Sequence, residues 1–427
     1  MNRYTVKLDG AGRIALSEEQ LRRTGLGPGD EILLRETADG LVILPLDPPL
    51  GKVYVEPTTR CNLHCPMCVR QYWDEPVADL SWEAFERLVA GLREMGTCRR
   101  MAFWGFGEPL LHPDILRMVA EAHHLGIETE LITNGFLLDD RLALGLIEAG
   151  LDTIVFSIDG TSMGAIGHPS SETDLAIVVE KIKRFRTFAA LHCRDVVRSD
   201  LCAIVIDEPE IGLEFVATRE NIEELPRVRE LGRSVGAKFV IVSNLLPYTA
   251  AMTGQILYHK STGRWTPATR LERRADITVG RMDSRVEYLG PLAAALAGAA
   301  VVDVSANGGG RSGGYCRFVG EGAVAVSCDG SVSPCIALMH SYRCYILGRE
   351  KHIRCYAVGN IGVEDLVDIW QKRDFSDFRK RVQVFDFPAC SECGGCDLAE
   401  TNEEDCEGNP FPVCGDCLWG KGIIRCP

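Results

Sequence analysis

The sequence predicts an α/β protein: a partial (β/α)6 TIM-type barrel, with a small β-rich domain before it and a cysteine-rich domain after it. Three observations predict this architecture. Strand-like and helix-like stretches alternate between about residues 51 and 245, short β-type segments fill the first fifty residues, and cysteines crowd the last forty. Because parallel neighbours in a sheet need a crossover helix, repeated strand–helix units favour a parallel sheet that can curl into a barrel.

The composition is that of an ordinary globular protein. The chain has 427 residues, of which 46% are hydrophobic and 25% charged, and this excludes a disordered or collagen-like chain. Its 18 cysteines are about 4% of the residues, below the level of a disulfide scaffold. The net charge of −14 is a poor match to a protein that mainly coats nucleic acid, because phosphate contacts need a basic surface.

The compartment is predicted from what the sequence lacks. It begins without a basic-then-apolar signal segment, and its longest apolar run, Leu289–Val302, is shorter than a membrane span. We therefore expect a cytoplasmic protein without membrane contact. Thiols stay reduced there, so the cysteines are expected to be metal ligands or catalytic groups rather than disulfides.

Composition shifts predict four parts. A proline-rich linker at Pro45, Pro48 and Pro49 ends the first part, and the glycine-rich joint Asn307–Gly314 precedes the cysteine-rich part. The predicted boundaries are a β-rich domain at 1–48, the barrel at 49–248, a bridging segment at 249–314 and the cysteine-rich domain at 315–427. Within the bridging segment we expect one Ala-rich helix at Pro291–Ala300.

The barrel elements follow from apolar periodicity. The expected strands are Val53–Glu56, Met101–Trp104, Glu130–Thr133, Thr153–Ile158, Leu201–Ile206 and Lys238–Val242. The expected helices are Ser81–Glu94, Pro113–Leu125, Asp139–Glu148, Asp174–Phe188 and Glu223–Val235. Chemistry in barrels of this kind sits at the carboxyl ends of the strands, which is where motifs should be sought.

The most specific motif is RCNLHCPMC, which places Cys61, Cys65 and Cys68 just after the first barrel strand. Soft thiolates select zinc or iron–sulfur clusters. A structural zinc site normally takes four ligands in CxxC pairs, which this CxxxCxxC triplet does not supply. Three thiolates on one tight loop instead suit a [4Fe–4S] cubane with one open iron; structural zinc is the alternative.

The triplet and its position resemble the radical S-adenosylmethionine (SAM) superfamily. The resemblance implies that the methionine amino and carboxylate groups of SAM chelate the open iron. It also implies reductive cleavage of SAM to a 5′-deoxyadenosyl radical, which abstracts hydrogen from the substrate. The protein would bind, orient and shield these groups, while the cofactor performs the difficult chemistry.

Further motifs follow successive strands. The loop FGEP resembles the family's GGEP motif with Phe106 in place of the first glycine, followed by TNG (133–135), SIDG (157–160) and the weaker SNLLP (243–247). The resemblance implies that these loops contact the amino, ribose and carboxylate groups of SAM. Plain capping and turn formation at strand ends is the alternative. The predicted SAM-binding residues are Phe106, Gly107, Glu108, Pro109, Asn134, Ser157 and Asp159.

A second cysteine set resembles the SPASM-type auxiliary cluster domain, through Cys316, Gly330-x4-Cys335 and later CxxC steps. The resemblance implies two further [4Fe–4S] clusters. The family run CxxCx5CxxxC is not reproduced, so the sequence does not decide which cysteines hold which cluster. It also leaves open whether one of these clusters has an unligated iron that binds substrate. A pair of zinc knuckles is the alternative. Surrounding acidic residues should lower the cluster potentials. The predicted ligands are Cys316, Cys335, Cys390, Cys393, Cys396, Cys406, Cys414, Cys417 and Cys426.

The other cysteines and the histidines receive simpler predictions. Cys98, Cys193 and Cys202 are expected to be buried apolar residues, and Cys328, Cys344 and Cys355 have no assigned role. His64 is expected to face the cavity from its loop. His123 and His124 are expected on the solvated face of a helix.

The N-terminal domain resembles an AbrB-like swapped-hairpin unit in the run KLDGAGRIALSEEQLRRTGLGPGDEILL. Relatives of that type often dimerise and bind DNA. Here six basic and eight acidic residues give this domain a charge of about −2, which favours a homodimer or docking unit over DNA binding.

A narrower resemblance is to the maturases of tungsten-dependent aldehyde oxidoreductases, in CNLHCPMC and the tail CGGCDLAETNEEDC…FPVCGDCLWGKGIIRC. It implies modification of a peptide, protein or cofactor that the oxidoreductase needs, with a low-potential donor such as ferredoxin or flavodoxin. Two alternatives stay open. One is a radical SAM enzyme that crosslinks a small precursor peptide, and the other is an iron–sulfur redox sensor that binds DNA through its N-terminal domain.

Overall fold

The computed structural model of the chain covers most of the sequence. It describes residues 10–11, 13–24, 26–27, 29–37, 40–158, 172–192, 194–198, 203–259, 277–279, 281–282, 286–297, 302–304, 314–391, 393 and 396–425. Four of the predicted cysteine and SAM-site positions fall outside these residues, namely Asp159, Cys193, Cys202 and Cys426.

The described part contains strands and helices throughout. The strands are β1 (Ile32–Thr37), β2 (Gly40–Pro45), β3 (Lys52–Val55), β4 (Arg100–Phe103), β5 (Glu128–Thr133), β6 (Thr153–Ser157), β7 (Arg194–Arg198), β8 (Ala203–Asp207), β9 (Glu210–Ala217), β10 (Phe239–Asn244), β11 (Ile277–Val279), β12 (Val302–Val304), β13 (Ala323–Val326), β14 (Ser331–Ser333), β15 (Tyr342–Ile346), β16 (Arg349–Ile353) and β17 (Gly359–Asn360). The helices are α1 (Glu18–Thr24), α2 (Trp82–Met95), α3 (Ile115–His124), α4 (Asp140–Glu148), α5 (Glu172–His192), α6 (Leu225–Val235), α7 (Val286–Leu296), α8 (Arg317–Gly320), α9 (Leu366–Gln371) and α10 (Arg373–Val384).

A single curled sheet organises the chain. Its strand order is β12-β11-β10-β9-β6-β5-β4-β3-β13-β14-β17. Neighbours from β12 to β13 run parallel, and only β14 and β17 pair antiparallel. Because the helices α2 to α6 lie between successive parallel strands along the chain, the structure confirms the predicted α/β class.

The predicted fifth barrel strand, Leu201–Ile206, is wrong. In the structure Ala203–Asp207 pairs with Arg194–Arg198 in a separate antiparallel hairpin. The place in the barrel is taken by β9, which pairs with β6 on one side and β10 on the other. The apolar run LCAIVI looks more like a buried strand than EIGLEFVA does. Tertiary pairing decided otherwise: β9 fits between β6 and β10, and the fold buries its charged residue Glu214.

The segment predicted as a bridge contributes to the barrel sheet. Both β11 and β12 lie within residues 249–314 and extend the parallel sheet beyond β10. The expected helix Pro291–Ala300 begins earlier, because α7 runs from Val286 to Leu296 with Pro291 inside it. Residues 298–300 lie outside the described part.

The side chains of the parallel strands divide between two faces, as the twofold period of a strand requires. One face packs against the helices in the main apolar core, for example through Phe103 and Phe156. The other face lines the barrel interior, with Tyr54, Ile132 and Ile241 in a second cluster. Residues of the C-terminal domain join this second cluster, namely Phe318, Ile336 and Met339. The cysteine-rich domain therefore packs against the barrel interior.

A buried ion pair spans the interior near the amino ends of the strands. The Lys52 ammonium lies 2.7 Å from a carboxylate oxygen of Glu130, and both side chains are at most 1% exposed. Burial lowers the pKa of Lys52, and the Glu130 carboxylate opposes that shift. The pair is expected to be needed for the fold because removal of one partner leaves the other charge buried.

Glu130→Gln is expected to reduce the free energy of unfolding by about 3–5 kcal/mol. The measurement is the denaturant midpoint of the variant against the unmodified chain. Asp365→Asn is the matched control, because its ion pair with Arg87 joins two exposed side chains and should change stability by less than about 0.5 kcal/mol. Equal midpoints for Glu130→Gln and the unmodified chain would contradict this account of the barrel interior.

The N-terminal domain combines one helix and one hairpin. Ser17 and Gln20 cap α1 reciprocally, with the Gln20 N–H 3.3 Å from the Ser17 Oγ and the Ser17 N–H 2.8 Å from the Gln20 Oε1. Strands β1 and β2 form an antiparallel hairpin. The expected strand TVKLD lies outside the described residues, and RIALS (13–17) is not a strand in the structure. The AbrB-like character of this domain stays a prediction.

The cysteine-rich domain continues the barrel sheet. Its strand β13 pairs in parallel with β3, the first strand of the barrel. Helix α10 anchors the N-terminal domain through the Arg379 guanidinium, which lies 2.6 Å from a carboxylate oxygen of Asp47. Among the residues that the structure describes, no helix is long and apolar enough to span a membrane.

Candidate active site

The cysteine triplet lies on the loop that follows β3, at the carboxyl end of the barrel. Cys61, Cys65 and Cys68 are each partly buried. The Cys68 N–H donates to the Cys65 carbonyl at 3.0 Å, and the Leu63 N–H lies 3.4 Å from the Cys61 sulfur. Burial raises the pKa of Cys61 in the protein without metal. A bound metal reverses this because a coordinating thiol is deprotonated.

The GEP loop after β4 packs directly on this cysteine loop. The Glu108 N–H donates to the Arg60 carbonyl at 2.7 Å. A Cβ at Gly107 would lie 2.0 Å from the carbonyl oxygen of Thr58, so only glycine allows this approach of the two backbones. Within the described part of the chain, no donor reaches the carbonyl oxygens of Gly105, Phe106 or Gly107. These carbonyls are available to accept hydrogen bonds from an ammonium group.

Glu108 joins three of the predicted loops. One carboxylate oxygen accepts from the Thr133 hydroxyl at 2.7 Å and from the Leu110 N–H at 3.1 Å, and the other accepts from the Asn134 N–H at 2.9 Å. Burial raises the pKa of Glu108 to about 7, and these hydrogen bonds act in the opposite direction. A carboxylate has about four acceptor positions, so Glu108 can still accept from a ligand while holding the TNG loop.

Asn134 closes the connection back to the cysteine triplet. Its side-chain amide donates to the Asn62 side chain at 2.9 Å and lies 3.9 Å from the Cys61 sulfur. The structure therefore brings the loops after β3, β4 and β5 into one hydrogen-bonded unit. Pro109 begins the short 3₁₀ turn that follows this unit.

The loops after β6 and β10 contribute differently. Ser157 ends β6 and is partly buried, and in the sheet it stands opposite Glu214 of β9. Glu214 was missed by the sequence reading, although the alternation in EIGLEFVA could have placed it beside Ser157. In SNLLP, the Ser243 hydroxyl and the Asn244 amide hold the C-terminal tail, through Arg425 N–H at 3.0 Å and the Ile423 carbonyl at 2.7 Å.

Four of the remaining cysteines approach one another beside the barrel mouth. Cys316, Cys335, Cys414 and Cys417 are partly buried, and burial is the main cause of the raised pKa of each thiol. Repulsion from Cys417 adds to the increase at the other three. We call these four cysteines the inner cysteine set. Cys335, Cys414 and Cys417 line one small cavity of about 50 Å³. Cys344, which the sequence left without a role, lines the same cavity.

The other predicted ligands lie towards the surface. Cys390 is partly buried and its pKa is raised by burial and, more weakly, by Cys406. Cys393, Cys396 and Cys406 are exposed. We call these four the outer cysteine set. The sequence could not separate the two sets, because Cys414 and Cys417 follow the outer cysteines in the chain and yet join Cys316 and Cys335.

Two cations accompany the inner set and partly offset the acidic tail. Lys351 is 2% exposed, and its ammonium lies 2.9 Å from both carboxylate oxygens of Asp416. Lys351 lowers the pKa of Cys417, and Arg381 lowers that of Cys414, against the larger effects of burial. These cations favour thiolates at the inner set.

A site for a single metal ion would need several ligand side chains that meet at one point. Among the described residues, no group of three or more His, Cys, Asp or Glu side chains is arranged to hold one ion. The four thiolates of a cubane bind four different irons and so stand farther apart than the ligands of a zinc ion. Thiolates are ligands of both iron–sulfur clusters and zinc, so the chemistry of the donor sets fits clusters.

The other cysteines and the histidines differ in burial. Cys98 is buried in the main core, as expected, and burial raises its pKa to about 11. His64, His123 and His124 are exposed. Cys355 is exposed, whereas Cys328 is buried.

Comparison with known proteins identifies both parts of the chain. A family model described as the radical SAM superfamily matches residues 55–188, and a SPASM model described as an iron–sulfur cluster-binding domain matches residues 316–397. The tungsten-containing aldehyde ferredoxin oxidoreductase cofactor-modifying protein of Pyrococcus furiosus is 30% identical over 389 residues. That alignment covers 88% of this chain and 96% of that protein.

Two solved structures share the fold. Streptococcus suis SuiB bound to the precursor peptide SuiA matches with a TM-score of 0.53 at 14% identity, over 87% of this chain and 76% of that one. Native anSMEcpe with bound AdoMet and Cp18Cys peptide matches with a TM-score of 0.51 at 16% identity, over 88% of this chain and 96% of that one. With the cysteine triplet and its linked loops at the barrel mouth, these similarities establish that the chain belongs to the radical SAM superfamily and carries a C-terminal SPASM iron–sulfur domain.

Proposed function

We propose that this enzyme binds SAM at the mouth of the barrel and uses the 5′-deoxyadenosyl radical to modify a peptide, a protein or a cofactor. Cys61, Cys65 and Cys68 would hold a [4Fe–4S] cluster with one open iron, which, when reduced, would supply the electron for the cleavage of SAM. The observation that carries the proposal is the unit formed by the triplet loop, Glu108 and Asn134, in which Glu108 hydrogen-bonds to the TNG loop at 2.7 and 2.9 Å.

Each part of that unit receives a role. Cys61, Cys65 and Cys68 hold three irons of the cluster. The loop Phe106–Pro109, with its unpartnered carbonyls and the Glu108 carboxylate, binds the SAM ammonium. Asn134, Ser157 and Asp159 contact the remaining polar groups of SAM, in agreement with the family resemblance.

The two cysteine sets support a partition of the auxiliary ligands. We assign Cys316, Cys335, Cys414 and Cys417 to an inner [4Fe–4S] cluster, because they influence one another electrostatically and three of them line one cavity. We assign Cys390, Cys393, Cys396 and Cys406 to an outer cluster. Cys426 lies outside the described residues and keeps its predicted role as a ligand of an auxiliary cluster. The outer position suits electron exchange with a soluble donor such as ferredoxin or flavodoxin.

The substrate assignment rests on the similarity to the Pyrococcus furiosus protein, which extends over nearly the whole length of both chains. We propose that this enzyme is a maturase of a tungsten-dependent aldehyde oxidoreductase. One observation favours a second candidate function: the SuiB and anSMEcpe structures described above both hold peptides. Crosslinking of a small precursor peptide is therefore the alternative. Incubation with the unmatured oxidoreductase or with a peptide encoded beside the gene would separate the two, by mass change of the modified partner.

The N-terminal domain is assigned to dimerisation. The hairpin side chains of Ile32, Leu34 and Val42 are 48%, 54% and 37% exposed, which offers an apolar surface to a second copy. The alternative, a redox sensor that binds DNA through this domain, is disfavoured by its net negative charge. The thiol-rich composition suits the reducing cytoplasm.

The reconstituted enzyme, reduced with dithionite and given SAM, is expected to release 5′-deoxyadenosine and methionine. Chromatography of the products measures this reaction. An unreduced sample is the control, because no electron is then available. One tightly bound zinc without SAM turnover would refute the proposed function.

A further inference from the structure

A buried carboxylate at the barrel mouth has no role in the function proposed above. Glu56 directly follows β3 and is completely buried. One of its carboxylate oxygens accepts a hydrogen bond from the Phe106 N–H at 2.9 Å. Phe106 is the first residue of the FGEP loop, so Glu56 fixes the backbone of the loop assigned to the SAM ammonium.

The second oxygen of Glu56 is held by the C-terminal domain. The His340 Nε2 lies 2.8 Å from it, and the His340 Nδ1 hydrogen-bonds to Glu75. Burial disfavours charge on this imidazole, but the hydrogen bonds to Glu56 and Glu75 outweigh burial and raise the pKa of His340 to about 10. With both ring nitrogens donating to carboxylates, His340 is an imidazolium at neutral pH.

Two aromatic rings pack against the His340 imidazole. One of them belongs to Phe106, the residue that replaces the first glycine of the family motif. The Trp73 ring lies 4.5 Å from the His340 ring, and the Phe106 ring lies 5.6 Å from it. Trp73 and Phe106 also contact each other edge to face, at 5.5 Å. Phe106 replaces a glycine of the family motif, and in this structure its ring packs on His340 and Trp73. The side chain that the motif does not predict therefore completes the contact between the two domains.

We propose that His340 is a positioning residue for SAM. It transmits the placement of the SPASM domain to the SAM-binding loop through Glu56 and the Phe106 N–H. The hydrogen bond between His340 and Glu56 is charge-assisted and shielded from water, which makes it stronger than a neutral one at the surface. When the SPASM domain is seated, the carbonyls of the FGEP loop are held in place for the ammonium. This inference rests on the proposed SAM site.

His340→Gln tests it, because glutamine keeps a polar side chain but lacks the charge and has only one donor nitrogen, so it cannot donate from two separate nitrogens to Glu56 and Glu75. We expect the Kd for SAM of the reconstituted, full-length enzyme to rise about tenfold or more. The shift that SAM produces in the electron paramagnetic resonance spectrum of the reduced triplet cluster should weaken in parallel. Glu56→Gln should give a similar loss of affinity, and Phe106→Gly, which restores the family glycine, a smaller loss.

The matched control is His352→Gln in the same domain, where the imidazole is about half exposed and pairs with the partly exposed carboxylate of Glu350. It should bind SAM like the unmodified enzyme. Iron content and melting temperature distinguish positioning from simple unfolding: a loss of SAM affinity with both preserved supports the proposal. Unchanged affinity in His340→Gln, or a loss that only follows loss of iron, overturns it. Failure of the unmodified enzyme to bind SAM would instead refute the proposed function and this inference together.

Discussion

Cys65→Ala is expected to abolish SAM cleavage, with 5′-deoxyadenosine formation falling by roughly 10³-fold or more. Cys65 is the middle residue of the triplet, and its carbonyl also accepts the Cys68 N–H at 3.0 Å. With two thiolates left, the loop can no longer hold three irons and leave the fourth for SAM. Iron content should fall from about twelve to about eight atoms per chain, since the auxiliary clusters use other cysteines.

The control for this experiment is Cys355→Ala, which removes an exposed thiol outside both cysteine sets. Iron content and 5′-deoxyadenosine formation should then match those of the unmodified enzyme. Product formation by Cys65→Ala at the unmodified rate would mean that the triplet is not the SAM cluster site. Loss of all iron in that variant would point to a folding defect, which a melting curve would reveal.

Cys417→Ala is expected to separate SAM cleavage from substrate modification. Cys417 is partly buried, lines the same small cavity as Cys335 and Cys414, and lies among the other thiols of the inner set. Its removal leaves the inner cluster with three of its four assigned ligands. We expect iron content to fall from about twelve to about eight atoms per chain, while the triplet cluster stays intact. The variant should still form 5′-deoxyadenosine but yield no modified substrate.

Cys98→Ala is the matched control for this second variant, because it removes a buried thiol from the barrel core and not from either set. It should retain all three clusters. Retention of about twelve irons by Cys417→Ala would show that another thiol takes its place. Cys344 lines the same cavity, so the double variant Cys344→Ala with Cys417→Ala would then identify that substitute ligand.

The acidic residues around the auxiliary ligands predict low reduction potentials for the auxiliary clusters. At the inner cysteine set, the structure places cations that offset part of this negative charge. Asp416, which lies between two inner cysteines in sequence, is paired with Lys351 at 2.9 Å. Arg381 acts on Cys414 in the same direction. A paired carboxylate contributes much less net charge than an isolated one, so the expectation remains strongest for the exposed outer set.

Local patterns predicted the elements whose side chains follow one clear period. Helix α2 begins after Ser81, one residue from the predicted start, and the Ser81 hydroxyl accepts the Ala84 N–H at 3.2 Å. The fifth barrel strand was misplaced because β9 carries Glu210 and Glu214 among its apolar residues. Glu210 is exposed, but Glu214 is buried, and burial of a carboxylate depends on partners elsewhere in the fold, which a window of neighbouring residues does not contain.

The sequence by itself determined the chemistry: a CxxxCxxC loop after a strand, GEP and TNG at the next strand ends, and a cysteine-rich tail. These signals are local, because each needs only a few neighbouring residues and the period of a strand or helix. Only the tertiary structure decided which cysteines meet and how the domains are joined. Glu56 and His340 are 284 positions apart and yet 2.8 Å from each other. Such contacts depend on the sheet that joins β13 to β3, and no local pattern of residues encodes that pairing.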